Sequence, residues 1–179
     1  MTRYAVYGGS FNPVHYGHLS IVERAITMGY EVLMVPAYRH AFGKQSAPFE
    51  HRVRMCELAL HDCGLQQHAR VCAIEATLAH DNDMPVYTYD VLCALRDRLH
   101  AAPCLLVGPD IAAEWPRWYQ HDAIDHEFGR VSLPMTQDIR STDIRQRLAA
   151  GAPPASLQTS MPEPVCAYIT LHTLYRDSP

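Results

Sequence analysis
The chain has 179 residues, of which 48% are hydrophobic and 19% charged, and its formal net charge is -4. That length buries one good core and asks for no second, so residues 1–179 read as a single domain. A mildly acidic balance without a long run of Lys or Arg argues against a general binder of nucleic acid or membrane surfaces. No stretch is long and apolar enough to span a bilayer, and Met1-Thr2-Arg3 leads into a strand pattern without a signal-peptide core. A cytoplasmic protein with a small-molecule partner is the expectation.

In chain order, Tyr4 to Tyr7 reads as a buried strand that ends in Gly8-Gly9. Ser10-Phe11-Asn12-Pro13-Val14-His15-Tyr16-Gly17-His18 then leads into a helical pattern from Leu19 to Met28. Backbone N–H groups exposed at a glycine turn and a helix N-terminus attract phosphate, and imidazoles three residues apart can reach its oxygens together. The layout suits a nucleoside triphosphate; a plain strand–turn–helix with a buried histidine is the structural alternative.

A second strand from Glu31 to Val35 precedes Pro36-Ala37-Tyr38 and a helix from Glu50 to His61. Next come a strand from Arg70 to Ile74, a helix from Tyr89 to Leu99 and a strand from Cys104 to Val107, followed by Gly108-Pro109-Asp110. This alternation predicts a parallel sheet with helices on both faces. Ligands of such sheets bind beyond the carboxyl ends of the strands, where the three loops converge. Gly151 to Ser156 is the one linker-like stretch.

The six cysteines form no CxxC pair and read as reduced core residues. Among eleven histidines only His15 and His18 fall into a recognisable arrangement. The glutamate of a zinc-protease helix is missing beside them, so no protein-held metal is expected. Arg52 and Arg54 read as structural ion pairs or solvated residues.

Gly8 to His18 resembles the GxFxPxHxGH signature of the nucleotidyltransferase superfamily, and Ile139-Arg140-Ser141-Thr142-Asp143-Ile144-Arg145 is similar to its ISSTxIR motif. Within that superfamily the chain resembles the nicotinate- and nicotinamide-nucleotide adenylyltransferases from the first strand to near the C-terminus. Pro162-Glu163-Pro164-Val165, Tyr168-Ile169 and Leu174-Tyr175 are similar to the closing helix of the bacterial nicotinate enzymes. The resemblance implies a Rossmann-like, doubly wound α/β fold of about five strands with a C-terminal helical region.

The same resemblance implies that Gly8, Gly9, Ser10, Phe11, His15, His18, Asp110, Ser141, Thr142 and Arg145 hold ATP. Of these His18, His15 and Arg145, with Lys44 on a loop that closes over the phosphates, would carry catalysis. A solvated Lys44 on a surface loop is the alternative. Asp110 would meet the ribose hydroxyls. Tyr87 and Thr88, in a stretch similar to SYTxDTL, would read the pyridine substituent, and Trp118 would stack on the ring, with Trp115 as competitor.

Three features depart from the family pattern. Arg140 stands where its first serine would be, either as a cation beside the triphosphate or pointing away. Val86 and Val91 replace a serine and a threonine, and the segment between Trp118 and Ser141 is short.

The implied reaction moves AMP from ATP to nicotinate or nicotinamide mononucleotide and releases pyrophosphate, by direct attack without a covalent intermediate. Mg²⁺ would arrive with ATP, and self-association into a homo-oligomer is common among related enzymes. A nucleotidyltransferase for another phosphorylated acceptor and a non-catalytic nucleotide-binding module are the alternatives.

Overall fold
A computed structural model describes residues 2–39, 46–79, 85–111 and 114–176. Its elements run β1 (Arg3–Gly9), α1 (Tyr16–Thr27), β2 (Tyr30–Pro36), α2 (Phe49–Asp62), β3 (Ala69–Val71), α3 (Ile74–Leu78), α4 (Thr88–Leu99), β4 (Cys104–Val107), α5 (His121–Glu127), β5 (Arg130–Ser132), α6 (Ser141–Ala149) and α7 (Glu163–Leu171). The strands form one sheet in the order β3-β2-β1-β4-β5. Every pairing is parallel, with Ala5 between Val32 and Cys104.

Successive strand residues point to opposite faces, and the apolar content of β1 serves both. Ala5 and Tyr7 join Leu19, Val22, Met55, Ile144 and Val165 in one core cluster, under α1, α2, α6 and α7. Val6 joins Leu33, Ile74, Leu92, Leu105 and Ile124 in the other, under α3, α4 and α5. Each fully buried Leu or Ile contributes roughly 1.5–3 kcal/mol. The sheet is therefore pinned from both sides, and its strand order reverses between β1 and β4, where a crevice must open.

The doubly wound architecture and C-terminal helical region are as expected. Two local expectations are corrected. The third strand covers only Ala69–Val71, and Ile74 opens a helix. A short apolar run has no period to separate strand from helix, and Ile74 buries itself in the core from a helical backbone. The edge strand β5 carries the burial pattern exposed–intermediate–exposed, so its sequence gives no apolar signal. The linker-like Gly151–Ser156 stretch runs into a short 3-10 turn, Pro154–Leu157, that buries Pro154 and Leu157.

All six cysteines are free, Cys56 and Cys166 buried and the rest intermediate. Among the described residues, no helix is long and apolar enough to cross a membrane.

Candidate active site
The crevice is built on the turn that leaves β1. Phe11 adopts a left-handed backbone, φ 45°, and drops its ring into the core. There it meets Tyr7 edge-on at 5.4 Å and His18 at 5.0 Å. A side chain on Gly9 would place its Cβ 3.1 Å from that ring. Phe11 therefore supports the turn from below, and its fully buried ring offers no surface to a ligand.

Side chains from distant elements tie the carbonyls of this turn. Arg52 Nη1 donates to Ser10 O at 2.8 Å, Arg145 Nη1 to Asn12 O at 2.7 Å, and Ser141 Oγ to Pro13 O at 2.9 Å. Asn12 Oδ1 accepts from Ala47 N–H and from the Tyr175 hydroxyl, at 3.1 and 2.8 Å. The turn is thus held by α2, α6 and the segment after α7 together.

His15 is the N-cap of α1, with an extended backbone, and His18 lies in the first turn. Their rings stack 3.6 Å apart at 24°. Burial lowers the His15 pKa to about 4, and it lowers that of His18 well below the usual imidazole value, with His15 adding to the effect. Both imidazoles are neutral near pH 7. His15 is 1% exposed, and its Nδ1 is a buried polar atom without a hydrogen-bond partner. A buried polar atom left without a partner costs about 1–3 kcal/mol, which a bond from a ligand that reached it would offset.

Two adjoining cavities share His18 and Met135. The smaller, about 340 Å³, is lined by His15, His18, Ile139, Arg140, Ser141 and Thr142 among others. The larger, about 470 Å³, is lined by Gly8, Gly9, Ser10, Arg39, Glu75, Val86, Thr88, Gly108 and Trp118 among others. His18 stands between them, where a group leaving one cavity would enter the other. Among the described residues, no cluster of His, Cys, Asp and Glu could hold a metal ion.

The structure brings together Gly8, Gly9, Ser10, His15, His18, Thr88, Trp118, Ser141 and Thr142 around this double cavity. Arg145 lines neither part; it grips Asn12 O, and its Nη2 donates to Thr142 Oγ1 at 3.3 Å. The Tyr87 side chain leans on Tyr119, ring centroids 4.5 Å apart, beside the larger cavity but outside its lining. Asp110 falls in a 3-10 turn, Pro109–Ile111, directly after β4. Lys44 lies outside the described residues. Trp115 is 5% exposed and packed in the core, whereas Trp118 reaches the cavity. Arg140 borders the smaller cavity, with its side chain largely exposed beside Asp138.

Sequence reasoning missed Arg52. It is 3% exposed and, among the described residues, bonds no carboxylate; its guanidinium instead donates to the carbonyls of Ala47, Ser10 and Ala37. An arginine on an amphipathic helix reads as solvated, and only the convergence of three loops shows otherwise. Arg54 does form the expected ion pair, with Glu57. Glu75, whose Oε2 accepts from Tyr38 N–H at 2.7 Å, and Met135 were missed for the same reason.

A parallel sheet with a phosphate-type turn at its switch point, paired histidines on the first helix and hydroxyls at a late helix N-terminus defines a nucleotidyltransferase-type site. Residues 6–147 match the cytidylyltransferase-like family model. A protein of Anaeromyxobacter dehalogenans named probable nicotinate-nucleotide adenylyltransferase is 38% identical, over 96% of each chain. One of the same name from Roseiflexus is 33% identical, also over 96% of each. The fold matches a Vibrio parahaemolyticus protein classed with these enzymes, with TM-score 0.83, 23% identity and coverage of 99% of this chain and 98% of that one. It also matches the Plasmodium falciparum nicotinic acid mononucleotide adenylyltransferase complexed with NaAD, with TM-score 0.75, 16% identity and 98% of each chain covered. The chain belongs to the cytidylyltransferase-like family and, within it, to the nicotinate-nucleotide adenylyltransferases.

Proposed function
We propose that this chain, as one domain over residues 1–179, transfers the adenylyl group of ATP to nicotinate mononucleotide, forming the dinucleotide and pyrophosphate in NAD biosynthesis. The observation that carries this reading is the double cavity with His18 at its waist. The smaller part takes the triphosphate, between the paired histidines and the hydroxyls of Ser141 and Thr142. The larger takes the mononucleotide, with Trp118 against the pyridine ring and Thr88 near its substituent.

The acceptor phosphate is already anionic, so no general base is required. Its oxygen bonds to the α-phosphorus of ATP while the bond to the β-phosphate bridging oxygen breaks, and pyrophosphate departs with that electron pair. Catalysis reduces to alignment and charge stabilisation. Mg²⁺ enters as part of the MgATP substrate, held by phosphates and water. His18 and His15 stabilise the charge on the phosphates; Arg145 fixes the turn that carries them, and Lys44 and Asp110 complete the ATP side. A cytoplasmic setting belongs to the same reading, as does self-association.

Pyrophosphate release with MgATP against nicotinate mononucleotide, nicotinamide mononucleotide and phosphopantetheine, with product masses checked, tests this. Preference for nicotinate mononucleotide is the expected result. Preference for the amide or for phosphopantetheine overturns the acceptor, and release with none of them overturns the activity.

A further inference from the structure
Trp118 lines the larger cavity from the end of a three-residue 3-10 turn, Trp115–Arg117, an element too short to fix a side chain unaided. Its support is Trp115. The two indoles meet with centroids 5.3 Å apart at 38°, and Trp118 N–H donates to Trp115 O at 3.0 Å. Whatever holds the plane of Trp115 therefore holds the wall of the cavity.

Trp115 is held by more than burial. Its Nε1–H donates to Asp125 Oδ2 at 2.9 Å, and the guanidinium carbon of Arg130 sits 4.1 Å from its ring centroid. Arg130 closes the set on Asp125, with Nη2 donating to Oδ2 at 3.1 Å and Nε donating to Oδ1. His121 meets the same indole edge-on. Asp125 is on α5 and Arg130 on β5, away from the smaller cavity.

An ion pair at a surface contributes little to stability by itself. Here the planar guanidinium meets the carboxylate with two nitrogens while its face lies on the indole, which fixes the orientation of all three groups. We propose that Arg130, Asp125 and Trp115 form a positioning relay that holds the Trp118 indole in place for the aromatic ring of the acceptor, setting acceptor affinity without acting on ATP. None of the three touches substrate; all act through Trp118. The inference rests on the assignment of the larger cavity to the pyridine mononucleotide.

The test compares Asp125→Ala and Trp115→Phe with Trp118→Ala as reference, measuring KM for nicotinate mononucleotide, KM for ATP, kcat and Tm. The loss of one well-placed aromatic contact corresponds to roughly a three- to tenfold change in affinity. Asp125→Ala and Trp115→Phe are expected to raise the acceptor KM by that factor while the ATP KM moves less than about twofold, with Arg130→Lys intermediate. The chain has 2 tryptophans, so in Trp115→Phe the emission reports Trp118 alone. Its quenching by the acceptor should need a higher concentration than in the natural protein, and adding Asp125→Ala to that background should shift it little further, because the indole N–H that Asp125 holds is already gone.

The relay is overturned if Trp118→Ala weakens the acceptor and Asp125→Ala does not. It is also overturned if Asp125→Ala changes both substrates equally in step with Tm. Should Trp118→Ala leave the acceptor KM unchanged, the cavity assignment itself fails, and the relay fails with it.

Discussion
The backbone N–H of His15 donates to Nδ1 of His18 at 3.2 Å. Accepting that bond requires a lone pair on Nδ1, so the neutral His18 ring carries its proton on Nε2, as a donor. One histidine thus sets the tautomer of the other, and the first turn of α1 gains a partner for an N–H its helix leaves unpaired.

The paired substitutions His18→Ala and His18→Asn separate the two roles. Asparagine can still accept the His15 N–H through its amide oxygen, but it places no donor where Nε2 stood. Turnover should fall about 10²-fold or more in both, the scale of one lost charge-stabilising donor. Steady-state kcat is the measurement; activity retained by His18→Asn would show that the backbone bond alone matters.

Proton uptake should accompany ATP binding. Burial leaves His15 at about 4 and His18 well below its ordinary value, so both are unprotonated in the free protein. A triphosphate placed beside them favours the charged form and raises both values. Calorimetry near pH 6 in buffers of different ionisation enthalpy should show net uptake, reduced in His15→Gln. The linked stability effect has a fixed sign: with its folded value depressed, His15 contributes stability above pH 6.5 that is lost as pH falls toward about 4, and His18, also depressed, acts in the same direction.

Much of the site was legible in the sequence because its chemistry is local. Glycines, histidines and a hydroxyl pair lie within a few residues of one turn or one helix end, so Gly8, His18, Ser141 and Thr142 could be read without tertiary information. Arg52, Glu75 and Tyr175 could not. Tyr175 is 163 residues from Asn12 in sequence, and no periodicity announces that its hydroxyl will bond Asn12 Oδ1. The fold divides the same way: buried strands such as β1 and β4 show as apolar runs, while β5, paired at an edge and half in solvent, does not.

Gly17→Ala should damage the site without touching a reacting group. A Cβ there would stand 3.0 Å from His15 Cε1 and Nδ1 and 3.2 Å from Met135 Sδ. The helix gains up to about 1 kcal/mol of propensity, which the crowding of a buried ring offsets, so Tm should hold or fall slightly. The imidazole must shift by some tenths of an ångström, and turnover should drop by about tenfold or more. Unchanged kcat in a folded variant would show that the ring position is not critical.

Glu75 gives a pH dependence of the opposite sign to the histidines. Burial raises its pKa from 4.5 to about 7, against the Tyr38 N–H bond and the Arg52 charge, which both lower it. A raised folded value means stability that is fully present below pH 4.5 and lost as pH rises through about 7. Glu75→Gln keeps an acceptor for Tyr38 N–H and removes the charge. Its Tm should gain on the natural protein between pH 5 and pH 8, and parallel melting curves across that range would rule out the buried charge as the cause.

Arg52→Lys tests whether the buried guanidinium is a charge or a clamp. Burial lowers its pKa, and among the described residues it bonds carbonyls alone, with Nε, Nη1 and Nη2 reaching Ala47, Ser10 and Ala37 at 3.0, 2.8 and 2.7 Å. A lysine keeps the charge but gathers its donors at one atom, which cannot span three separate loops. At least one buried carbonyl then loses its partner, at a cost of about 1–3 kcal/mol. Denaturant unfolding should show that loss, with the midpoint lowered and the slope unchanged. Because Arg52 ties the turn after β1 to the loop after β2, kcat should fall as well, even at temperatures where the variant is fully folded. A lysine variant of natural stability and activity would show that charge alone suffices and that the clamp is dispensable.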